Sequence, residues 1–253
     1  MLNMPKLSVI LPTYNERDNI EPLVSEIFKY TNSDTEVIIV DDSSPDGTCE
    51  KAQEISQKNR NVRVLKRDNK LGVASAISDG ISLSNGEIVV WMDADFSMPP
   101  KFLPEMITAL KENDVAVGSR YITGGSDKRK SPIRKFTSKA INTFASFLLS
   151  GGIFKPKTLD YTSGFIAAWR RVIDRVPING KHGEYCIDFL YNSKLNGFKI
   201  TEIPYECLSR RSGESKIVPD LFSLVKQGAR YCITIFCLRF KRCRRKREKL
   251  CRR

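Results

Sequence analysis

The sequence predicts an α/β fold in which a mostly parallel sheet is covered by helices. In the first half of the chain, short continuous apolar runs alternate with segments whose apolar residues recur at helical spacing. Strands that are apolar on both faces are typical of parallel sheets with helices on both sides. The length of 253 residues is ample for one such domain.

Five apolar runs are the predicted strands of the first half. They are Leu7–Leu11, Val37–Val40, Val62–Leu65, Ile88–Met92 and Val115–Val117. Between each pair of consecutive strands, helical periodicity predicts a helix. We expect these at about residues 16–30 with Asn15 as the N-cap, before Val62, at about 73–83, and after Pro99-Pro100.

The pattern changes after Tyr121. Residues 124–131 are polar and rich in Gly and Lys, which predicts a mobile loop. The further predicted elements are helices at Lys135–Leu149, Glu184–Leu195 and Ser223–Phe240 and strands at Ile166–Trp169 and Lys199–Tyr205. The last helix is amphipathic. We expect residues 1–217 to form the catalytic domain and residues 218–253 to form this C-terminal helix and a basic tail.

Polar segments follow three of the predicted strands, at residues 12–16, at Asp41-Asp42 and at Asp93–Asp95. Ligands of such sheets bind beyond the carboxyl ends of the strands. Two carboxylates one residue apart, Asp93 and Asp95, can both reach one hard cation. Mg²⁺ or Mn²⁺ takes such oxygen ligands and keeps positions for phosphate oxygens. The pattern therefore predicts a metal site for a diphosphate.

Six ordered blocks of the sequence carry a family resemblance. They are Pro12–Glu16, Val40–Thr48, Asp93–Asp95, Gly118–Tyr121, Thr162–Phe165 and Arg210–Lys216. Together they resemble the dolichol-phosphate (polyprenol-phosphate) mannose synthases, which are inverting family 2 glycosyltransferases of the GT-A fold. The resemblance covers about residues 6–217. The first three blocks are shared by many family 2 enzymes, whereas the fourth and sixth are more specific to the polyprenyl-phosphate branch.

The resemblance implies a role for each matching residue. The residues expected around the nucleotide base and ribose are Pro12, Tyr14, Glu16, Val40 and Asp42. Those expected at the sugar diphosphate and the metal are Asp93, Ala94 and Asp95, and those expected to bind phosphates are Arg120, Arg210 and Lys216. Arg134 and Ser138 lie four apart on one helix face and match the acceptor-phosphate pair. Asp95, Arg120, Arg134 and Ser138 are thus the predicted catalytic residues.

One position departs from the family pattern. Many relatives place Gln, or a nearby His, just after the paired aspartates, whereas this chain has Ser97. Ser97 is predicted as a weaker hydroxyl ligand, and a water molecule is the alternative, so the choice between Mg²⁺ and Mn²⁺ stays open. Asp188 aligns with an acidic position that serves as base in other family 2 enzymes; orienting arginines or capping a helix is the alternative. His182 is interpreted as a loop residue.

The implied reaction is transfer of mannose from GDP-mannose to a polyprenyl phosphate. A phosphate monoester is mostly ionised near neutral pH, so it can attack the anomeric carbon without a general base. One alternative keeps the fold and uses another donor, such as UDP-glucose, or another acceptor. An alternative of a different class is a non-catalytic, basic membrane- or nucleic-acid-binding protein. Intact Asp93, Asp95, Arg120, Arg210 and Lys216 argue against it.

The net charge of +13 is concentrated at the C-terminus. Residues 239–253 contain ten Lys/Arg and one Glu, which leaves about +4 for the rest of the chain. A basic tail beside an amphipathic helix favours an anionic membrane surface, with a solvated tail as the alternative. Nucleic acid is not expected, because aromatic platforms and zinc-ligand spacings are missing. Seven cysteines without a CxxC motif favour a reducing environment, so the expected location is the cytoplasmic face of a membrane.

Overall fold

The computed structural model describes residues 6–149, 160–180, 183–212 and 228–240. Its strands are β1 Leu7–Thr13, β2 Thr35–Asp41, β3 Val62–Lys66, β4 Ile88–Trp91, β5 Val115–Ser119, β6 Ser126–Asp127, β7 Ile166–Trp169, β8 Ile200–Pro204 and β9 Glu206–Cys207. Seven of them form one sheet in the order β3-β2-β1-β4-β7-β5-β8, and β6 pairs with β9 in a second sheet.

The main sheet is mostly parallel, as predicted. β1 pairs in parallel with β2 and β4, β2 with β3, and β5 with β8. β7 is the exception, because it runs antiparallel between β4 and β5. The carboxyl ends of β2, β1 and β4 therefore lie side by side at one edge, which is where the polar segments of the sequence were expected to meet.

The helices are α1 Arg17–Tyr30, α2 Thr48–Lys58, α3 Val73–Leu83, α4 Leu103–Ala109, α5 Pro132–Leu149, α6 Arg170–Arg175 and α7 Tyr185–Leu195, with a 3₁₀ turn at Pro100–Phe102. Residues 228–240 are also helical. They cover both faces of the sheet because successive strand residues point to opposite sides. One core contains Val9 and Leu11 with α1, α2 and α4, and the other contains Ile10 and Trp91 with α3, α5 and α7.

One local prediction was wrong, and another was incomplete. Glu16, not Asn15, occupies the N-cap of α1, and its side chain makes no capping hydrogen bond. Asn15 instead takes a left-handed conformation, with φ +55°, which an Asn tolerates better than most residues. The predicted loop at residues 124–131 contains the two-residue strand β6, which pairs with β9, and the Lys128 amide donates to the Cys207 carbonyl at 2.8 Å.

The helix α5 and the helical residues 228–240 pack against each other on one face of the sheet. The Phe144 and Phe236 rings meet edge to face, with centroids 5.7 Å apart. Tyr231, Ile235 and Leu238 are buried, so the described part of the predicted helix packs on the core through one face. Residues 223–227 lie outside the described residues. Within the described ranges, none of the helices combines the length and apolar character that crossing a bilayer requires.

Candidate active site

Three strained backbone positions mark the rim of the sheet. Asn15, Ser43 and Phe96 have φ values of +55°, +55° and +65°, and they are the non-glycine residues with positive φ among the described residues. Each follows the end of one of three neighbouring strands, β1, β2 and β4. Non-glycine residues in this region are costly and concentrate at functional sites. The strain therefore points to the same edge that the polar segments indicated.

Asp42, the first residue after β2, is buried and anchored from two directions. Its Oδ1 lies 2.8 Å from Arg67 Nη1, and its Oδ2 accepts from the Gly72 amide at 3.0 Å. Arg67 also donates to the Ser75 hydroxyl at 2.7 Å. These contacts hold the loop between β3 and α3 against the predicted base and ribose residues. Arg67, which directly follows β3, was given no role from the sequence.

The other predicted nucleotide residues differ in exposure. Pro12 and Tyr14 are half-buried at the rim, and the Lys70 ammonium lies 3.5 Å from the centre of the Tyr14 ring. Val40 is completely buried in the core, so its place in the nucleotide pocket stays a prediction. Glu16 is buried as well and forms an ion pair described next.

Arg210 joins the two strand ends that carry the predicted donor residues. Its Nη1 donates to Glu16 Oε1 at 2.6 Å, and its Nη2 lies 3.0 Å from Asp95 Oδ2. Burial alone lowers the pKa of Arg210, but the negative charges of Asp95, Glu16 and Asp93 outweigh it and raise the pKa above its ordinary value. Asp93 and Asp95 are therefore both near this guanidinium.

The turn after β4 suits a hard cation. Asp93 is exposed, Ala94 is buried, and Asp95 is buried with its Oδ1 accepting from the Ser97 amide at 2.9 Å. Clusters of three or more His, Cys, Asp or Glu residues placed to hold a metal do not occur in the described part of the chain. Two carboxylates completed by diphosphate oxygens and water fit Mg²⁺ or Mn²⁺, which keep several non-protein ligands. Ser97 is nearly buried, and its role as a third ligand stays a prediction.

Arg120 is held by a buried aspartate. Its Nε and Nη2 donate to the two carboxylate oxygens of Asp160, each at 2.7 Å, and its backbone amide donates to Oδ2 at 3.1 Å. Asp160 is fully buried and Arg120 nearly so. Burial lowers the pKa of Arg120, yet the Asp160 charge raises it well above its ordinary value. Arg120 is thus permanently charged and rigidly oriented, with Nη1 3.9 Å from Asp127.

Ser138 joins the same network from α5. Its hydroxyl lies 3.2 Å from Thr162 Oγ1, which accepts from Arg120 Nη2 at 2.8 Å. Asn142, one turn further along α5, donates to Thr162 Oγ1 at 2.9 Å and to the Ser138 carbonyl at 2.9 Å. The structure therefore brings together two of the predicted acceptor residues, Arg120 and Ser138. It adds three residues that were given no role from the sequence, namely Asn142, Asp160 and Thr162.

Arg134, also on α5, faces other arginines. Its pKa is lowered first by burial and then by repulsion from Arg129 and Arg210. Arg129 is oriented by Asp127, to which its Nε donates at 2.9 Å and its Nη2 at 2.5 Å. Since guanidinium groups repel one another, a cluster of them is stabilised by an anion. This arrangement connects the acceptor residues of α5 with Arg210 beside Asp95.

Three other predicted positions contribute less. Lys216 and His182 lie outside the described residues, so Lys216 stays a prediction from the sequence. Asp188 is half-buried in the first turn of α7, and its Oδ1 accepts from Asn192 Nδ2 at 3.0 Å. Asp160 had one signal in the sequence, its position two residues before the Thr162–Phe165 block. The Arg67 and Asn142 contacts had none, because they join segments far apart in the chain.

The sequence comparisons agree with this arrangement. Residues 8–176 match the family described as Glycosyl transferase family 2. Over 217 residues the chain is 38% identical to the dolichol-phosphate mannosyltransferase of Pyrococcus furiosus, covering 84% of this chain and 59% of that protein. It is 35% identical over 217 residues to the polyprenol monophosphomannose synthase of Mycolicibacterium smegmatis, covering 83% of this chain and 80% of that one. The predicted resemblance is confirmed, although the chain spans less than two thirds of the Pyrococcus protein.

Solved structures support the fold at lower sequence identity. Glucosyl-3-phosphoglycerate synthase from Mycobacterium tuberculosis in complex with UDP superimposes with a TM-score of 0.66 at 20% identity, covering 93% of this chain and 80% of that one. The same enzyme with Mn²⁺, UDP and phosphoglyceric acid gives 0.67 at 20% identity, covering 93% and 78%. These likenesses confirm the predicted GT-A type of α/β fold.

Proposed function

We propose that this chain, which belongs to glycosyl transferase family 2, transfers mannose from GDP-mannose to a polyprenyl phosphate. The observation that carries the proposal is the arginine cluster beside the paired aspartates. After burial, the positive charges of Arg129 and Arg210 lower the pKa of Arg134, and Arg210 lies 3.0 Å from Asp95. Two phosphorylated substrates, a nucleotide-sugar and a lipid phosphate, need such charge on both sides of the reacting carbon.

On the donor side, the strand ends receive the nucleotide. Tyr14 and Asp42 are proposed to contact the base and ribose, and Pro12, Glu16 and Val40 are proposed to complete that pocket. Asp93 and Asp95 would hold Mg²⁺ or Mn²⁺, with Ser97 as the proposed third protein ligand. Such a metal would supply positive charge that neutralises the charge developing on the departing nucleoside diphosphate. Arg210 and Lys216 are proposed to bind the diphosphate oxygens.

On the acceptor side, the lipid phosphate is itself the nucleophile. One of its oxygens forms a bond to the anomeric carbon while the bond from that carbon to the diphosphate breaks, and the electron pair leaves with the nucleoside diphosphate. Attack from the opposite face inverts the anomeric configuration. Arg120, Arg134 and Ser138 hold the phosphate in line for this attack. A general base is unnecessary, because the phosphate is already ionised near neutral pH.

The two faces of α5 suit an acceptor whose head is charged and whose tail is apolar. Ser138 and Arg134 are two residues away from Phe136, which places them about 200° around the helix from it. Ser138 joins the buried polar network, whereas Phe136 is 76% exposed. The phosphate group is therefore proposed to bind one face of α5 while the opposite face meets the bilayer.

The exposed apolar face extends over both helices. On α5 it contains Ile133, Phe136 and Phe147, and on the helical residues 228–240 it contains Ile233, Phe236 and Phe240. The Phe144–Phe236 ring contact makes the two parts continuous. Apolar helix faces next to Lys and Arg residues bind anionic interfaces. We therefore propose that residues 218–253 and α5 dock on the cytoplasmic face of a membrane.

A donor screen tests the proposed reaction. The protein is incubated with radiolabelled GDP-mannose, UDP-glucose and other nucleotide-sugars, with polyprenyl phosphate in vesicles, and with Mg²⁺, Mn²⁺ or EDTA. Label extracted into the organic phase from GDP-mannose supports the proposal, and loss of that label with EDTA supports the metal. If label instead enters the organic phase from UDP-glucose, UDP-glucose and not GDP-mannose is the donor. Absence of organic-phase label from every donor would overturn the proposed reaction. It would favour the alternative of a non-catalytic, basic membrane- or nucleic-acid-binding protein.

A further inference from the structure

A network of hydrogen bonds connects the buried Asp160 to the half-buried Ser138. Asp160 fixes Arg120 through its two oxygens. Asn142 is fixed by its surroundings too, because its Oδ1 accepts from the Thr162 amide at 3.1 Å while its Nδ2 donates to the Ser138 carbonyl at 2.9 Å. The amide orientation of Asn142 follows from these two contacts, since a backbone N–H can only donate and a carbonyl can only accept.

The Thr162 hydroxyl lies at the centre of this network, and its proton has a determined direction. A hydroxyl has two acceptor lone pairs and one donor hydrogen. Arg120 Nη2 at 2.8 Å and Asn142 Nδ2 at 2.9 Å both donate to Thr162 Oγ1, and neither nitrogen can accept. The two lone pairs are therefore occupied. Thr162 must use its hydrogen to donate.

Two acceptors lie within reach of that hydrogen. Ser138 Oγ is 3.2 Å away, and Asp160 Oδ1 is 3.4 Å away. Asp160 Oδ1 already accepts from Arg120 Nη2 at 2.7 Å. Asn142 Nδ2 is 3.3 Å from the same oxygen, but its two hydrogens are directed to Thr162 Oγ1 and the Ser138 carbonyl, both at 2.9 Å. The shorter contact to the less occupied oxygen is the one to Ser138. Ser138 consequently accepts from Thr162, and its own O–H is directed out of the network.

We infer that Thr162 and Asn142 are positioning residues that preset Ser138 as a hydrogen-bond donor beside Arg120. Ser138 and Arg120 then act as one rigid, donor-only unit. An ionised phosphate has acceptor oxygens and no hydrogen to donate, so it matches this unit. Donors oriented before the ligand arrives lose less entropy on binding and reorganise less during the reaction. The inference rests on the proposed function, because it assumes that this unit receives the acceptor phosphate.

The test compares Thr162→Val, which keeps the shape and removes the hydroxyl, with Thr162→Ser, which keeps the hydroxyl. The measurements are KM and kcat/KM for polyprenyl phosphate, the Kd of farnesyl phosphate, the Kd of the nucleoside diphosphate, and Tm. For Thr162→Val we expect kcat/KM and farnesyl phosphate affinity to fall about 10- to 100-fold, with nucleotide affinity unchanged. Thr162→Ser is expected to stay within about threefold of the wild type.

A double-mutant cycle separates positioning from a general structural role. If Thr162 acts through Ser138, Thr162→Val has a much smaller effect in a Ser138→Ala background than in the wild type. Equal effects in both backgrounds, no effect of Thr162→Val, failure of Thr162→Ser to restore binding, or a parallel loss of nucleotide affinity would overturn the inference.

The same measurements distinguish this inference from the proposed reaction. If the wild type binds farnesyl phosphate but forms no glycosylated lipid, the reaction is wrong, and the affinities of the variants still decide the inference. If product forms and Thr162→Val behaves like the wild type, the inference alone is wrong. If the wild type binds no polyprenyl phosphate, both are wrong.

Discussion

Arg210 Nη2 lies 3.0 Å from Asp95 Oδ2, so a predicted phosphate-binding residue and a predicted metal-binding residue are paired with each other. The contact keeps the charges of both groups compensated at the rim of the sheet. A metal–diphosphate complex supplies both signs of charge at once, because the cation suits Asp95 and the phosphate suits Arg210. We therefore expect the Arg210–Asp95 contact to open when a metal–diphosphate complex binds, and not when either the metal or the diphosphate binds alone.

We expect Arg210→Gln to weaken donor binding and lower kcat/KM by about 100-fold, because it removes the positive charge that is proposed to bind the diphosphate. Isothermal titration with the nucleoside diphosphate in the presence of Mn²⁺ measures the first effect. Arg171→Gln is the matched control, because Arg171 pairs with Asp114 beyond the end of the antiparallel β7. Equal losses in the two variants would contradict the assignment of Arg210.

The Arg120–Asp160 pair makes a prediction about stability as well as activity. Breaking a buried, bidentate pair leaves an uncompensated charge and costs about 3–5 kcal/mol. Arg120→Gln removes the positive charge that compensates the buried Asp160 carboxylate. We expect a Tm lower by about 6–20 °C, measured by calorimetry, together with a large loss of acceptor affinity. A variant that unfolds at the wild-type temperature would show that the pair does not order this region.

Glu36 gives a prediction for pH. Its carboxylate is buried and accepts from the Ser8 hydroxyl at 2.6 Å and the Asn85 amide at 2.5 Å. Burial raises the pKa of Glu36, but these hydrogen bonds outweigh it, and the net pKa lies below the ordinary 4.5. A depressed folded-state pKa stabilises the protein above the unfolded-state pKa, and that stability is lost as the pH falls through the folded-state value.

Glu36→Gln is therefore expected to destabilise the protein by about 1–3 kcal/mol near pH 7. The difference from the wild type should shrink below about pH 4.5, because the wild-type carboxyl then becomes protonated. Denaturant unfolding at several pH values measures this difference. Glu54→Gln is the control, since Glu54 is exposed and its ion pair with Lys51 is expected to contribute little at any pH. A pH-independent difference for Glu36→Gln would exclude its titration as the cause.

The exposed face of α5 predicts membrane binding. Replacing Phe136 and Phe147 by Ser should reduce co-flotation with anionic vesicles by about tenfold or more, because two large apolar side chains no longer enter the interface. Leu71→Ser is the control, since Leu71 is 59% exposed on the loop that precedes α3. Unchanged flotation of the double variant would contradict the proposed membrane face.

The basic tail makes a separable contribution to the same assay. Deleting residues 241–253 should weaken flotation most with anionic lipids and at low salt, because screening removes the attraction of its Lys and Arg residues. Neutral vesicles are the control. If the deletion does not change flotation with anionic vesicles, the tail does not contribute, and membrane binding depends on the apolar helix faces alone.

The sequence by itself determined the layered α/β architecture and most of the residues at the rim. Continuous apolar runs such as Val37–Val40 are stable only in a strand that is covered on both faces, so their alternation with helices predicted a parallel sheet. The position of Asp93 and Asp95 directly after such a run placed them at a carboxyl end. These are local features, because each depends on spacing within a few residues.

Tertiary structure decided which charges meet and how they are oriented. Arg120 and Asp160 are 40 residues apart, Arg210 and Glu16 are 194 apart, and composition gives no sign of either pairing. The antiparallel placement of β7 and the short β6–β9 sheet bring these segments together. The inferred direction of the Ser138 O–H group is also decided by tertiary structure. It depends on lone pairs of Thr162 being filled by two distant side chains, and only the folded chain brings those groups within hydrogen-bonding distance.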